Sequence, residues 1–136
     1  MGAGMKVRFG EKVEGWKNFT KTQIKVVGVQ HRKRAAVEFA EGCARAEATG
    51  REAWVTLEPE PGNPFDQNAV KVIGHWIKRG IFRKSAEARH IGYLPAEIAE
   101  DAAELVANGR MRARLMSVYS SENGFIDVSI IPIVPR

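Results

Sequence analysis

Glu58-Pro59-Glu60-Pro61-Gly62-Asn63-Pro64-Phe65-Asp66-Gln67-Asn68 lies between two short apolar runs, and its reading decides the fold. Pro59, Pro61, Gly62 and Pro64 forbid a helix and leave too few backbone donors for strand pairing, so the segment is a turn. Before it, Ala53 to Glu58 alternates Trp54 and Thr56 against Val55 and Leu57, the period-2 pattern of a strand. After it, Ala69-Val70-Lys71-Val72-Ile73 returns as a second strand. A phenylalanine among Pro, Asn and Asp is out of place unless it tucks inward or meets a ligand. In one reading Phe65 plugs the end of a barrel while Asp66 and Asn68 cap the turn. In the other, Phe65 is a stacking surface and Asp66 a lone acceptor. A carboxylate facing a phosphate backbone is repulsive, so the second reading requires a ligand that presents a donor, such as a terminal hydroxyl.

Upstream, the first twenty residues carry four glycines and no sustained period, and read as a loose or weakly strand-forming lead-in. Thr22 to Val29 favours a strand, and the basic run His31-Arg32-Lys33-Arg34 follows it. Ala35 to Ala48 reads as a helix with Val37, Ala40 and Ala44 on one face, weakened at Gly42 by about 1 kcal/mol and ended by Gly50.

Downstream, His75 to His90 is a polar, basic excursion carrying Lys78, Arg79, Arg83, Lys84 and Arg89, expected as a hairpin between strands. Ile91-Gly92-Tyr93-Leu94 is a short strand. The clearest helix follows: Pro95 suits its first position, Ile98, Ala102, Leu105 and Val106 make its apolar stripe, and Gly109 stops it. Its other face carries Glu97, Glu100, Asp101 and Glu104. Met111, Ala113 and Leu115 then alternate with an arginine comb, Arg110, Arg112 and Arg114, whose guanidiniums are spaced about 7 Å apart on a strand. Phe125 to Val134 is the closing strand. The sum is an α+β chain, mostly antiparallel β, with two helices.

At 136 residues, 44% hydrophobic and 27% charged, the chain is one ordinary globular domain, too short for a motor or a polymerase. Lys+Arg 21 against Asp+Glu 16 leaves a net charge of +5, which favours polyanionic partners. One helix holds four carboxylates and no base, so the rest of the chain is more basic still. No apolar run approaches the roughly 20 residues of a membrane span. Lys6, Arg8, Glu11 and Lys12 interrupt any signal-peptide stretch, so the expected compartment is cytoplasmic and reducing.

Catalytic chemistry finds little purchase. His31, His75 and His90 are scattered, and Cys43 is the single cysteine, so no metal-ligand spacing exists. Cys43 falls on a helix face, where buried thiols are usually inert. A metal-dependent nuclease of the restriction type would place a carboxylate two positions before its strand lysine. Here Ala69 stands two before Lys71. No Walker loop or GxGxxG is present, and the chain reads as a binder, not an enzyme, with no cofactor expected.

Taken together, Val26-Val27-Gly28-Val29, the run Glu58-Pro59 through Asn63-Pro64-Phe65-Asp66-Gln67-Asn68-Ala69-Val70-Lys71-Val72, and Ile91-Gly92-Tyr93-Leu94-Pro95 resemble the HIRAN domain, from about Ile24 to Gly109. The resemblance implies an OB-like antiparallel β-barrel with two helices over residues 21–136, residues 1–20 being the lead-in. It implies capture of single-stranded DNA 3′ ends, some members being fused to Swi/Snf-type fork-remodelling translocases. The implied partners are single-stranded DNA and a helicase or nuclease, in DNA repair or replication-fork processing. Phe65 would stack on the terminal base and Asp66 would accept a hydrogen bond from the 3′-hydroxyl. Phe65 stands where tyrosine is commoner, and Gln30-His31 where the fork-remodelling members often have Arg and Tyr, with Arg32 and Lys33 adjacent. Asn63, Asn68, Tyr93 and Phe125 complete the implied DNA-binding set. Two rival readings are a general single-stranded DNA or RNA binder and a protein-interaction module that uses the Asn-Pro-Phe-Asp loop.

Overall fold

The computed structural model describes residues 5–9, 12–80 and 82–136. Eight strands, one 3-10 helix and two α-helices run in the order β1 (Met5–Arg8), β2 (Trp16–Asn18), β3 (Ile24–Lys25), the 3-10 helix (Val29–Arg32), α1 (Lys33–Thr49), β4 (Ala53–Pro59), β5 (Val70–Arg79), β6 (Lys84–Tyr93), α2 (Ala96–Ala107), β7 (Arg112–Ser120) and β8 (Ile126–Pro135). The fold is the expected mostly β, antiparallel arrangement with two α-helices. One sheet has the order β1-β7-β8-β2, with β3 also on β8; the other is β4-β5-β6. Among the described residues they do not close into one ring. They meet at one corner through Val27 and Tyr93, whose backbone groups exchange two hydrogen bonds of 2.9 Å.

Burial explains the elements. β8 is apolar almost throughout because β7 and the short β2 and β3 flank it on its two edges, and six consecutive residues, Val128 to Ile133, are buried. β5 is buried at every second residue, Val70, Val72, Gly74 and Trp76, and half-buried between them. That alternation is a sheet with one covered face and one open face. The cover is α1, which buries Ala36, Phe39, Ala40 and Cys43. The helical face is therefore rotated from the expected Val37/Ala40/Ala44 stripe, because the large Phe39 ring takes the core position.

Glycines set the spacing between α1 and the sheet. A Cβ on Gly42 would lie 2.4 Å from the Trp76 ring, and one on Gly74 would lie 2.5 Å from the Phe39 ring. The two rings sit 6.2 Å apart, tilted, in the gap these glycines leave. Gly42 thus weakens the helix locally so that an indole can pack against its backbone.

Several expectations need revising. The strand expected over Thr22–Val29 is reduced to Ile24–Lys25 on β8 and a single bridge from Val27 to Tyr93, because Gly28 takes φ 76° and turns the chain into the 3-10 helix. The basic run His31–Arg34 straddles two helices: His31 and Arg32 end the 3-10 helix, and Lys33 and Arg34 open α1. The lead-in contributes β1 against β7 and β2 against β8. The excursion 75–90 is the distal half of one long hairpin, β5–β6, in which strand pairing continues to Arg79 and Lys84. The arginine comb is largely occupied: Arg112 lies 4.5 Å over the Trp16 ring and Arg114 donates to Asn18 at 3.2 Å. No helix of the described residues is long and apolar enough to cross a membrane.

Gly42→Ala sets two effects against each other. Alanine would gain about 1 kcal/mol of helix propensity, while overpacking a closed core costs about 1–3 kcal/mol. Trp76 is only 4% exposed and has nowhere to retreat, so the steric cost wins. Urea denaturation should show net destabilisation of up to about 2 kcal/mol. An equally or more stable variant would mean that the helix–sheet spacing is not fixed by these contacts.

Candidate nucleic-acid interface

The β4–β5 turn is shaped by side chains acting on backbone. The Asn63 Oδ1 accepts the Phe65 N–H at 2.9 Å and the Asp66 N–H at 3.1 Å. Asp66 Oδ1 then accepts the Asn68 N–H at 2.9 Å, and the Asp66 carbonyl accepts the Ala69 N–H at 3.0 Å. These are local side-chain-to-backbone turns, the reason Asn and Asp are favoured there. With both of its flanking backbone positions held, the Phe65 side chain points outward and is 96% exposed. The barrel-plug reading is therefore wrong. Burying such a ring stabilises by about 1.5–3 kcal/mol, a gain left available to a ligand. The two readings of Asp66 are compatible: Oδ1 caps the turn, and Oδ2 has no partner among the described residues.

Glu60, which the sequence reading passed over, anchors the turn to the sheet. Its Oε1 accepts Asn63 Nδ2 at 2.7 Å and the Tyr93 hydroxyl at 2.8 Å. Lys71 lies 4.0 Å from Oε2 and 2.7 Å from Glu58. The hydrogen bonds from Asn63 and Tyr93, more than Lys71, hold the Glu60 carboxyl below its usual range, so it is ionised at neutral pH. The only hint in the sequence was the spacing of Glu60 and Asn63 three apart across a Pro-Gly turn.

Tyr93 carries the site onward. Arg32 sits 5.7 Å over its ring, and His90 meets it edge-on at 4.8 Å. His90 Nε2 donates to the Gly92 carbonyl at 2.9 Å, so this nitrogen bears the proton. Desolvation first, then Arg32, pushes the imidazole pKa down and keeps it neutral.

Beyond Arg32 the 3-10 helix and the β7–β8 turn enclose a groove of about 280 Å³, lined in part by Gln30, His31, Phe125 and Asp127. Phe125 is 47% exposed beside Tyr119. The Gln30 side-chain amide is committed to the Ile126 carbonyl at 2.7 Å, so it secures the groove floor. The Lys33 side chain lies over Gly124, where a Cβ would come within 2.9 Å of Cε. His31 and Lys33 are exposed and Arg32 is half-buried. Asn63, Phe65, Asp66, Asn68, Tyr93 and Arg32 thus form one contact chain. Gln30, His31, Lys33 and Phe125 form an adjoining groove.

Cys43 is completely buried, its thiol pushed up to about 12 by desolvation, so almost no thiolate forms at neutral pH. No group of three metal-ligating side chains occurs among the described residues.

Two measurements check this scaffold. In Asn63→Ala, the Phe65 and Asp66 amides should exchange with deuterium at least about tenfold faster while β7 and β8 amides are unchanged. Unchanged loop exchange would mean that the carboxamide does not hold the turn. Because the folded-state pKa of Glu60 is depressed, its contribution is present above 4.5, its ordinary value, and is lost as pH falls through the lower folded value. The Asn63 side-chain amide resonances should therefore titrate below pH 4.5 and be flat above it. A midpoint above that value would contradict the assignment.

The family model of the HIRAN domain matches residues 20–131, a span that runs from just before β3 into β8 and includes all ten candidate residues. No curated protein and no solved structure matches the chain. The long ordered motif from Glu58 to Val72, the downstream Ile91-Gly92-Tyr93-Leu94-Pro95 and the family match agree, and the chain belongs to the HIRAN domain family, a DNA-binding module.

Proposed function

We propose that this domain captures the 3′ end of single-stranded DNA and acts as a binding module, not as an enzyme. The observation that carries the reading is the pairing of a fully exposed Phe65 ring with an unpartnered Asp66 oxygen on a turn held by Asn63 and Glu60. Phe65 stacks on the terminal base, worth roughly 1–3 kcal/mol. Asp66 Oδ2 accepts the 3′-hydroxyl proton, a charge-assisted hydrogen bond of about 1.5–3 kcal/mol. The same carboxylate repels a 3′-phosphate, so a single acceptor selects the chemical state of the end. Arg32, over the Tyr93 ring beside the turn, and Lys33 supply a salt-dependent attraction to the phosphates behind the end. The net positive charge supports a polyanion over a neutral peptide as the ligand of this loop. In a cell such a module would deliver strand ends to a partner helicase or nuclease in DNA repair or replication-fork processing.

Asp66→Asn separates the two duties of this residue, because the carboxamide oxygen still caps the turn while the free acceptor becomes a donor. Fluorescence anisotropy should show wild type favouring a 3′-hydroxyl over a 3′-phosphate by at least about tenfold, with the ratio collapsing in Asp66→Asn at unchanged stability. Phe65→Ala should weaken both ends by roughly 5- to 100-fold. Equal binding of both ends by wild type would leave a general single-strand binder. No binding of either end at low salt would favour the protein-interaction reading.

A further inference from the structure

The face of the β4-β5-β6 sheet that α1 leaves open runs from the Phe65 turn to the hairpin tip. By register, Glu58, Lys71 and Tyr93 share its proximal row, Thr56, Ile73 and His90 the next, and Trp54, His75 and Ala88 the third. Ile77 and Ala86 and then Arg79 and Lys84 complete it at the tip. All of these side chains are exposed or half-buried, whereas the alternate residues Val72, Gly74 and Trp76 are buried on the opposite face, where Phe39 of α1 meets Gly74. Midway, the Trp54 and His75 rings are stacked at 5.1 Å, within 4° of parallel, with the imidazole fixed by Thr56 at 2.7 Å. At the tip a cavity of about 450 Å³ is lined by Arg51, Arg79, Phe82, Arg83 and Lys84, and no carboxylate lines it. Among the described residues none of these four cations has a carboxylate oxygen within 4.0 Å, and Phe82 is 96% exposed. The face's proximal carboxylates are already engaged, Glu58 by Lys71 and Glu60 by Asn63 and Tyr93.

We propose that this face is a track for single-stranded nucleic acid, along which the strand continues from the Phe65 turn over Trp54 and His75 to a phosphate clamp at the hairpin tip formed by Arg79, Arg83 and Lys84, with Phe82 as its terminal stacking surface. Charge and continuity identify the occupant. Unpaired cations beside an exposed ring are the pattern of a single-strand channel, and the track begins at residues that hold the end-binding turn. Nine residue steps at about 3.3 Å span roughly 30 Å, room for on the order of five nucleotides. The polarity of the strand rests on the end-capture reading, and the existence of the track does not.

The test compares 3′-hydroxyl oligothymidylates of about three and about ten nucleotides, lengths that fall short of and exceed the track, by anisotropy. Wild type should bind the longer strand at least about tenfold more tightly. The triple charge reversal Arg79→Glu/Arg83→Glu/Lys84→Glu, at exposed positions, should abolish that gain and flatten the salt slope while leaving trimer affinity and the hydroxyl-to-phosphate ratio unchanged. Trp54→Ala should reduce the gain in part. Equal binding of the two lengths by wild type, or loss of trimer and decamer affinity in equal measure in the triple variant, would overturn the track. A length gain that depends on the tip but shows no preference for a 3′-hydroxyl would sustain the track and refute end capture.

Discussion

Tyr93 is the joint on which the rest depends. Its backbone pairs with Val27 in a bridge between the two sheets, its hydroxyl holds Glu60, and its ring carries Arg32. Through Glu60 and Asn63 it fixes the turn that exposes Phe65. A tyrosine is suited to this because its body packs while its polar tip reaches a partner. The close approach also explains Gly92 beside it, where a Cβ would fall 2.4 Å from the Val27 carbonyl oxygen. One residue thus couples the architecture of the domain to the geometry of its candidate site.

Division of labour follows from this coupling. Long-range attraction comes from exposed lysines and arginines and discriminates little between polyanions. In the proposed end capture, selectivity would come from one carboxylate oxygen, whose position is set by hydrogen bonds within the turn. A turn of this kind, tied by side chains instead of a buried core, keeps an aromatic ring in water without collapsing around it. Preorganisation of such a turn lowers the ordering cost of binding.

Much of this was legible in the sequence where local chemistry decides structure. The Pro/Gly/Asn/Asp turn, the alternation of β4 and the stop of α2 before Gly109 appear as read, with Pro95 one place earlier than expected, at the N-cap, because capping and periodicity act within a few residues. Partnerships made at long range were not legible. Arg112 and Arg114 looked like a free comb until β2 placed Trp16 and Asn18 beside them. Nor was it legible that Gln30 donates to the Ile126 carbonyl, 96 residues away in sequence. The hairpin expected over residues 75–90 is present in β5 and β6; that its pairing runs out to Arg79 and Lys84 was not legible, because an open sheet face needs no apolar alternation and pairing with a neighbour is invisible to hydropathy. Phe65 was the instructive ambiguity: composition flagged it, but only the backbone hydrogen bonds around Asn63 decide that it faces outward.

The central claim is that the turn tied to Tyr93 receives a strand end. Its most direct measurement is an amide NMR titration with a short 3′-hydroxyl oligonucleotide. The account predicts concerted shifts at Phe65, Asp66 and Asn68 together with the Tyr93 ring, and none at Arg112 or Arg114. Shifts centred elsewhere, with the turn unperturbed at saturation, would contradict it.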